Sequence, residues 1–313
     1  MSEATGAQFP RETSRDGEFV RQSSAFRHWI SRDGSTLFPA EAGRYHLYVS
    51  LACPWAHRSI ILRKLKQLES AISMSIVDPI RDHRGWAFTG DAGSDLDSVN
   101  GFEFLSQAYE AANPSYEGRC SVPVLWDKRR GTIVNNESSE IIRMLNSEMD
   151  EWGDAGIDVY PESLRDEIDA INARVYAAFN NGVYCAGFAA TQAAYERACV
   201  ALFAMLDEME EILSRRRYLV GDRLSEADWR AFTTLVRFDP VYHGHFKCNL
   251  RRLVDYPNLW GYTRELYQYP GVAETVNMDH IKRHYYVTHQ RINPSQVVPI
   301  GPDIDYASPH DRG

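Results

Sequence analysis

The stretch HLYVSLACPWAHRSIILRKLKQL, His46 to Leu68, changes its period in the middle. Tyr45, Leu47 and Val49 alternate as in a short strand, whereas beyond Pro54 apolar side chains recur at Ile61, Leu65 and Leu68, with Ile60 and Leu62 widening the stripe. Arg58, Arg63, Lys64 and Lys66 are expected on the opposite, solvated face. ISMSIVDP, Ile72 to Pro79, reads as a second strand, so the stretch lies inside a β-α-β unit. Proline suits the first helical turn because its missing N–H would be unpaired there in any case. Cys53 therefore falls at or next to the N-cap, where a thiolate faces unpaired backbone N–H groups and the positive end of the helix dipole. Both favour the anion, and the spacing predicts a reactive thiolate at neutral pH.

The rest of the composition narrows the field. The chain has 313 residues, 44% of them hydrophobic and 25% charged, enough for two globular domains. Net charge is -9 and no long cluster of lysine and arginine occurs, which argues against nucleic acid; Arg215 to Arg217 read as the solvated end of a helix. No apolar run approaches the roughly 18 residues of a membrane span, and the N-terminus lacks a secretory core, so a cytoplasmic protein with no membrane partner is expected. The five cysteines, Cys53, Cys120, Cys185, Cys199 and Cys248, are odd in number, widely spaced and without a C-x-x-C pair. That pattern suits a reducing compartment and gives neither a disulfide framework nor a metal cluster. Cys120, Cys185, Cys199 and Cys248 are read as small packing residues.

Residues 1–43 form an N-terminal extension, polar but carrying Phe19, Phe26, Trp29 and Ile30, and are expected to pack on the body. Residues 80–120 read as a long insertion with one helix near Phe102 to Ala111. VPVLWD and TIVNN are two strands joined by the turn KRRG, and ESSEIIRML opens a helix with Ser and Glu in its first turn. The order β-α-β, insertion, β-β-α is that of a thioredoxin-like domain of the glutathione-transferase kind, here residues 44–150. From residue 160 the pattern is helical: Leu164, Ile168, Ile171, Val175 and Phe179 form one stripe, Ala198, Leu202, Met205, Leu206, Met209 and Leu213 another. Ser225 and Asp228 of LSEADW stand in the relation of a capping box. The fold class is thus α/β plus all-α: the thioredoxin-like domain, a helical bundle domain over 160–284, and a C-terminal extension over 285–313.

Three features indicate what Cys53 reacts with. Ala56 stands where a dithiol oxidoreductase has its resolving cysteine, so a disulfide at Cys53 must be opened by an external thiol, most simply glutathione. Val122-Pro123 precedes a strand in the position of the cis-proline of thioredoxin folds, which leaves the Val122 N–H and C=O to pair with a peptide-like ligand. Glu137 and Ser138 open a helix, where amides and a hydroxyl suit a carboxylate and Glu137 suits an ammonium, together matching the γ-glutamyl end of glutathione.

Six segments carry a resemblance: GEFVRQSSAFRHWI near the start, CPWAHR at Cys53, RGWAF at Trp86, VPVLWDK with TIVNNESSEIIRM, NNGVYCAGFA at Tyr184, and IKRHYY with INPSQVVPIGP at the end. The chain resembles the glutathionyl-hydroquinone reductases, the Xi-class glutathione transferases, over nearly its whole length. The resemblance implies that glutathione is a co-substrate, that no metal is used, and that the Cys53 thiolate attacks the sulfur of a glutathionyl-hydroquinone. A second glutathione would then resolve the mixed disulfide. It places tyrosines at the quinol oxygens as catalytic groups: Tyr184, and one of Tyr285 and Tyr286. Either could face inward; Tyr285 ranks ahead as catalytic, with Tyr286 as a substrate-binding residue. Trp86 is expected to contact bound glutathione or the ring, and Cys185 to be a bystander thiol near the pocket. A homodimer is implied. Two other readings compete, a general cysteine-type thioltransferase or dehydroascorbate reductase and a non-catalytic binding module; the terminal extensions and tyrosine motifs argue against the former, Cys53 against the latter.

Overall fold

A computed structural model of the chain describes residues 12–312. Residues 1–11 of the N-terminal extension, and residue 313 of the C-terminal one, lie outside the described residues. The chain divides into two compact units.

The first unit spans Gln22–Asp158 with Glu274–His284. Short parallel strands β1 (Ile30–Ser31) and β2 (Phe38–Pro39) come first. The main sheet contains β3 (Tyr45–Val49), β4 (Ile72–Ile76), β5 (Val124–Asp127) and β6 (Thr132–Asn135), in the order β4-β3-β5-β6. β3 and β4 run parallel, as a helical crossover between them requires, and the other pairs are antiparallel. That crossover is α1 (Pro54–Leu65); α2 (Leu105–Ala112) lies in the insertion, and α3 (Ser138–Ser147) follows β6. All five residues of β3 are buried, as befits a central strand. The hairpin between β5 and β6 is held by Asp127, whose carboxylate accepts from the Arg129 N–H at 2.9 Å and, on β3's side, from the buried Arg44 guanidinium at 3.1 Å. Gly131 closes the turn at φ +61°.

The sequence places Arg58 and Lys66 on a solvated helix face, and the structure corrects this: both are buried. Lys66 donates to Asp150 at 2.6 Å and to the Ile157 carbonyl at 2.8 Å, so its charge is paired. Helix α1 is enclosed on both sides, which a periodicity of apolar residues alone understates. The N-terminal extension adds an edge to the sheet: the His28 N–H donates to the Val134 carbonyl and the Asn136 N–H to the Phe26 carbonyl, each at 3.0 Å.

The second unit comprises, among the described residues, Val159–Ala273 with residues 12–21 and 285–312. Its helices are α4 (Arg165–Val175), a π-helical turn Tyr176–Asn180, α5 (Gly182–Gly187), α6 (Gln192–Leu213), α7 (Glu226–Leu235), a second π-helical turn Phe238–Tyr242, and α8 (Pro257–Gln268). At the start of α7 the Asp228 carboxylate accepts from the Ser225 N–H at 2.8 Å and the Ser225 hydroxyl accepts from the Ala227 N–H. The C-terminal extension is pinned to this unit: Tyr306 donates to the Val236 carbonyl at 3.0 Å and Arg312 to Glu265 at 2.9 Å.

The unit boundaries differ from the segmentation drawn from sequence. The N-terminal extension is shared, since Ala190 donates to the Gly17 carbonyl in the helical unit. α9 (Met278–Thr288) begins among the residues of the sheet-bearing unit. There His57 bonds Thr275 at 2.8 Å, His280 the Ala92 carbonyl at 2.6 Å and His284 the Pro79 carbonyl at 2.7 Å. These polar contacts, invisible to hydrophobic periodicity, tie 274–284 to α1 and the loops of the sheet-bearing unit.

Candidate functional site

Cys53 occupies the N-cap of α1 with extended backbone (φ -79°, ψ 122°), and Pro54 follows in the first turn. Its sulfur makes no capping bond and is half-buried. It lies 3.5 Å from the Val122 carbonyl oxygen, with the S–H as donor. The Val122-Pro123 peptide is cis. Ala56, one turn into α1, is fully buried.

The loop carrying Val122 is fastened by a residue that the sequence reading did not single out. Tyr109 of α2 is 1% exposed. Its hydroxyl donates to the Ser121 carbonyl at 2.7 Å and accepts from the Ser121 N–H and the Asn136 amide, each at 3.1 Å. One phenol thus joins the insertion, the cis-proline loop and the segment leading into α3.

Glu137 is the N-cap of α3. One carboxylate oxygen accepts from the Ser139 N–H at 3.1 Å and hydroxyl at 2.9 Å, the other from the Ser24 hydroxyl at 3.0 Å. Burial pushes this carboxyl upward, but the Ser139 and Ser24 hydrogen bonds and the nearby Arg58 charge outweigh it and hold it below its ordinary value. Ser138 is buried and accepts from the Arg58 guanidinium at 3.3 Å, which also lies 4.6 Å from the Trp55 ring centre. Arg58 therefore backs the Glu137–Ser138 pair, a role missed because its spacing marks it as solvent-facing. Trp86 is only 5% exposed, stacked on His284 at 4.9 Å with Arg81 5.5 Å from its ring centre. The structure thus packs the ring between the insertion and His284 of α9.

In the helical unit, Tyr184 on α5 and Tyr285 on α9 meet hydroxyl to hydroxyl at 2.6 Å. A third phenol, Tyr242, lies 3.0 Å from the Tyr285 hydroxyl. It ends the π-helical turn in the stretch DPVYHG, where no recognisable motif marks it; only the structure identifies it. Tyr242 and Tyr285 are raised well above the ordinary phenol value by burial, an effect opposed by the positive charge of buried Arg237. The Arg21 guanidinium sits 4.7 Å from the Tyr184 ring centre. Gly187 permits this packing, because a Cβ there would stand 2.2 Å from the Phe246 ring, whose centre is 5.5 Å from that of Tyr184. Tyr286 turns elsewhere: it is half-buried and donates to the Pro240 carbonyl at 3.2 Å. Consecutive helical residues diverge by about 100°, so only one of the pair joins the phenol cluster. Cys185, beside Tyr184, accepts weakly from the Asn181 amide at 3.4 Å and is raised by burial.

Among the described residues no group of three or more His, Cys, Asp or Glu is placed to share a metal ion. No helix among them is long and apolar enough to cross a membrane.

Two family models match the chain: the N-terminal domain of glutathione S-transferases over residues 52–148 and the C-terminal domain over 192–265. The chain is 52% identical to the glutathionyl-hydroquinone reductase YqjG of Escherichia coli strain K12, covering 96% of this chain and 93% of that one. The glutathione-bound structure of YqjG superposes with a TM-score of 0.90, covering 92% and 96% of the two chains at 52% identity. A Xi class GST from Natrialba magadii is 50% identical, with a TM-score of 0.91 and 95% of each chain covered.

Proposed function

The chain belongs to the Xi class of the glutathione transferases, and we propose that it reduces glutathionyl-hydroquinones to hydroquinones with glutathione as co-substrate. The observation that carries the reading is the single thiol of Cys53 at a helix N-cap, 3.5 Å from the carbonyl that precedes a cis-proline, with Ala56 and no second cysteine one turn on. In this reading the Val122 backbone pairs with the glutathione peptide, Glu137 receives its ammonium, and Ser138 with the amides of α3 receives its carboxylate.

The reaction begins with a quinol proton moving to the ring carbon that carries sulfur, giving a keto tautomer. The Cys53 thiolate attacks the glutathionyl sulfur; an S–S bond forms and the carbon–sulfur bond breaks. The released electron pair restores the aromatic ring and leaves an oxyanion on the former carbonyl oxygen. Tyr184, hydrogen-bonded to Tyr285, gives that oxyanion its proton. The carbon is reduced by two electrons and the two sulfurs are oxidised to a disulfide. A second glutathione, as thiolate, then attacks the Cys53-bound glutathione, releasing oxidised glutathione and the Cys53 thiolate. The proton of that second thiol balances the one delivered to the quinol. A two-fold homodimer and a cytoplasmic location complete the reading.

The test incubates the protein with glutathione and the glutathione adduct of a simple benzoquinone, following hydroquinone by chromatography. Release is expected from the wild type and not from Cys53→Ser. Reduction of hydroxyethyl disulfide without release from the adduct would replace this reading with a general thioltransferase. Silence in both assays would favour a non-catalytic binding module.

A further inference from the structure

The hydroxyl of Tyr242 is fully buried, and its hydrogen-bond partner among the described residues is the Tyr285 hydroxyl at 3.0 Å. A phenol carries one donor hydrogen and accepts through its oxygen. A buried hydroxyl with no acceptor is strongly disfavoured, so the Tyr242 proton points to the Tyr285 oxygen. Tyr242 is thereby excluded as a donor to any ligand, and the proton that leaves the cluster comes from the Tyr184–Tyr285 pair. Of the three, Tyr184 has the largest exposure, at 8% against 1% for Tyr285 and none for Tyr242.

We propose that Tyr242 is a positioning residue for proton delivery: by donating into the Tyr184–Tyr285 pair it sets the direction in which that pair hands on its proton. The proposal rests on the reading of Tyr184 and Tyr285 as the proton source for the departing quinol. With Tyr242 donating to the Tyr285 oxygen, the Tyr285 proton turns to Tyr184 across the 2.6 Å contact, and the Tyr184 proton is the one the chain of phenols hands on. When Tyr184 releases its proton to the quinol oxyanion, the Tyr285 proton follows into Tyr184 and the Tyr242 proton toward Tyr285. The negative charge is thus spread inward, toward the buried Arg237 guanidinium whose field already favours ionised Tyr242 and Tyr285. The cluster regains its proton through solvent from the thiol of the second glutathione, so the cycle closes without another reactant.

Tyr242→Phe removes only the oxygen and keeps the ring, which lies nearly parallel to Phe246 (14°) at 5.6 Å. In the full chain we expect kcat for hydroquinone release to fall about tenfold, a fraction of the full effect of a general acid, while KM for glutathione stays within about twofold. The melting temperature and the formation of the Cys53–glutathione disulfide from oxidised glutathione should be retained. Release within about twofold of wild type would overturn the proposal, and so would an equal loss of release and of disulfide formation, which would indicate a merely structural role. Tyr184→Phe and Tyr285→Phe are run alongside: if neither slows release, the proton-source reading fails and the proposal with it, whereas a loss in both without one in Tyr242→Phe refutes the proposal alone. The wild type supplies an independent check. Its release rate plotted against deuterium fraction in the solvent should be bowed, as several protons move together; a straight line would overturn the relay.

Discussion

Replacing Tyr109 by Phe tests whether a single hydroxyl holds the cis-proline loop in place. The ring would remain against Phe26 at 5.6 Å and Tyr116 at 5.0 Å, so the change is confined to the oxygen. Three short hydrogen bonds disappear, one donated to the Ser121 carbonyl and two accepted, from the Ser121 N–H and from the Asn136 amide, along with a longer contact of 3.4 Å to the Ser121 hydroxyl. At about 0.5–1.5 kcal/mol net for each, the loss is about 2–4 kcal/mol, the upper part of the range applying if the buried Asn136 amide finds no replacement. For a body of this size each kcal/mol lowers the melting temperature by about 2–4 °C, so a fall of roughly 5–15 °C is expected by calorimetry. Function should change in a particular way. Ser121 is bonded through both its N–H and its carbonyl, and Val122 is the next residue, so the loss is expected to misplace the Val122 backbone. KM for glutathione should therefore rise by about tenfold, an energetic loss of about 1.4 kcal/mol, with a smaller effect on kcat. A melting temperature within about 2 °C of wild type together with an unchanged KM would refute the argument that Tyr109 is the clamp.

Two further outcomes follow from the titrating groups. Iodoacetamide at neutral pH should label Cys53 ahead of the other four thiols, because burial pushes Cys120 up to about 11, raises Cys185 and Cys199, and raises Cys248 far above its ordinary value. Peptide mass spectrometry reads the order of labelling, and modification of Cys120 or Cys185 first would contradict it. His46 is buried between β-strands and lowered from 6.5 to about 4, by burial first. Between those values the unfolded chain binds a proton that the folded chain does not, so stability rises with pH across the window and is lost on acidification from about pH 6.5 toward 4, by up to about 3 kcal/mol for this group. His46→Gln should flatten the pH dependence of the urea midpoint between pH 7 and 4.5; an unchanged slope would show that His46 is not its source.

What could be read from the sequence and what could not divide along a physical line. Strands β3 to β6, helices α1 and α3, and the capping box at Ser225 were legible because each depends on neighbours in the chain: a period of two or 3.6, a proline at a first turn, a turn rich in charge before glycine. Cys53 was legible for the same reason, since its N-cap position follows from Pro54 alone. Arg58 and Lys66 were misread because their burial depends on distant partners, Ser138 in one case and Asp150 in the other, and helical spacing carries no information about those. Residues 274–284 group with the sheet-bearing unit through histidine contacts to Ala92 and Pro79, which helical spacing likewise does not register. Tyr242 is the sharpest case. Nothing in DPVYHG separates it from the other tyrosines of the chain. Its significance arises only when a π-helical turn and α9, more than 40 positions apart, bring two hydroxyls to 3.0 Å. A nucleophile can be recognised from the local backbone that activates it. A proton relay is a property of the pairs of side chains that compose it, so its third member had to await the fold.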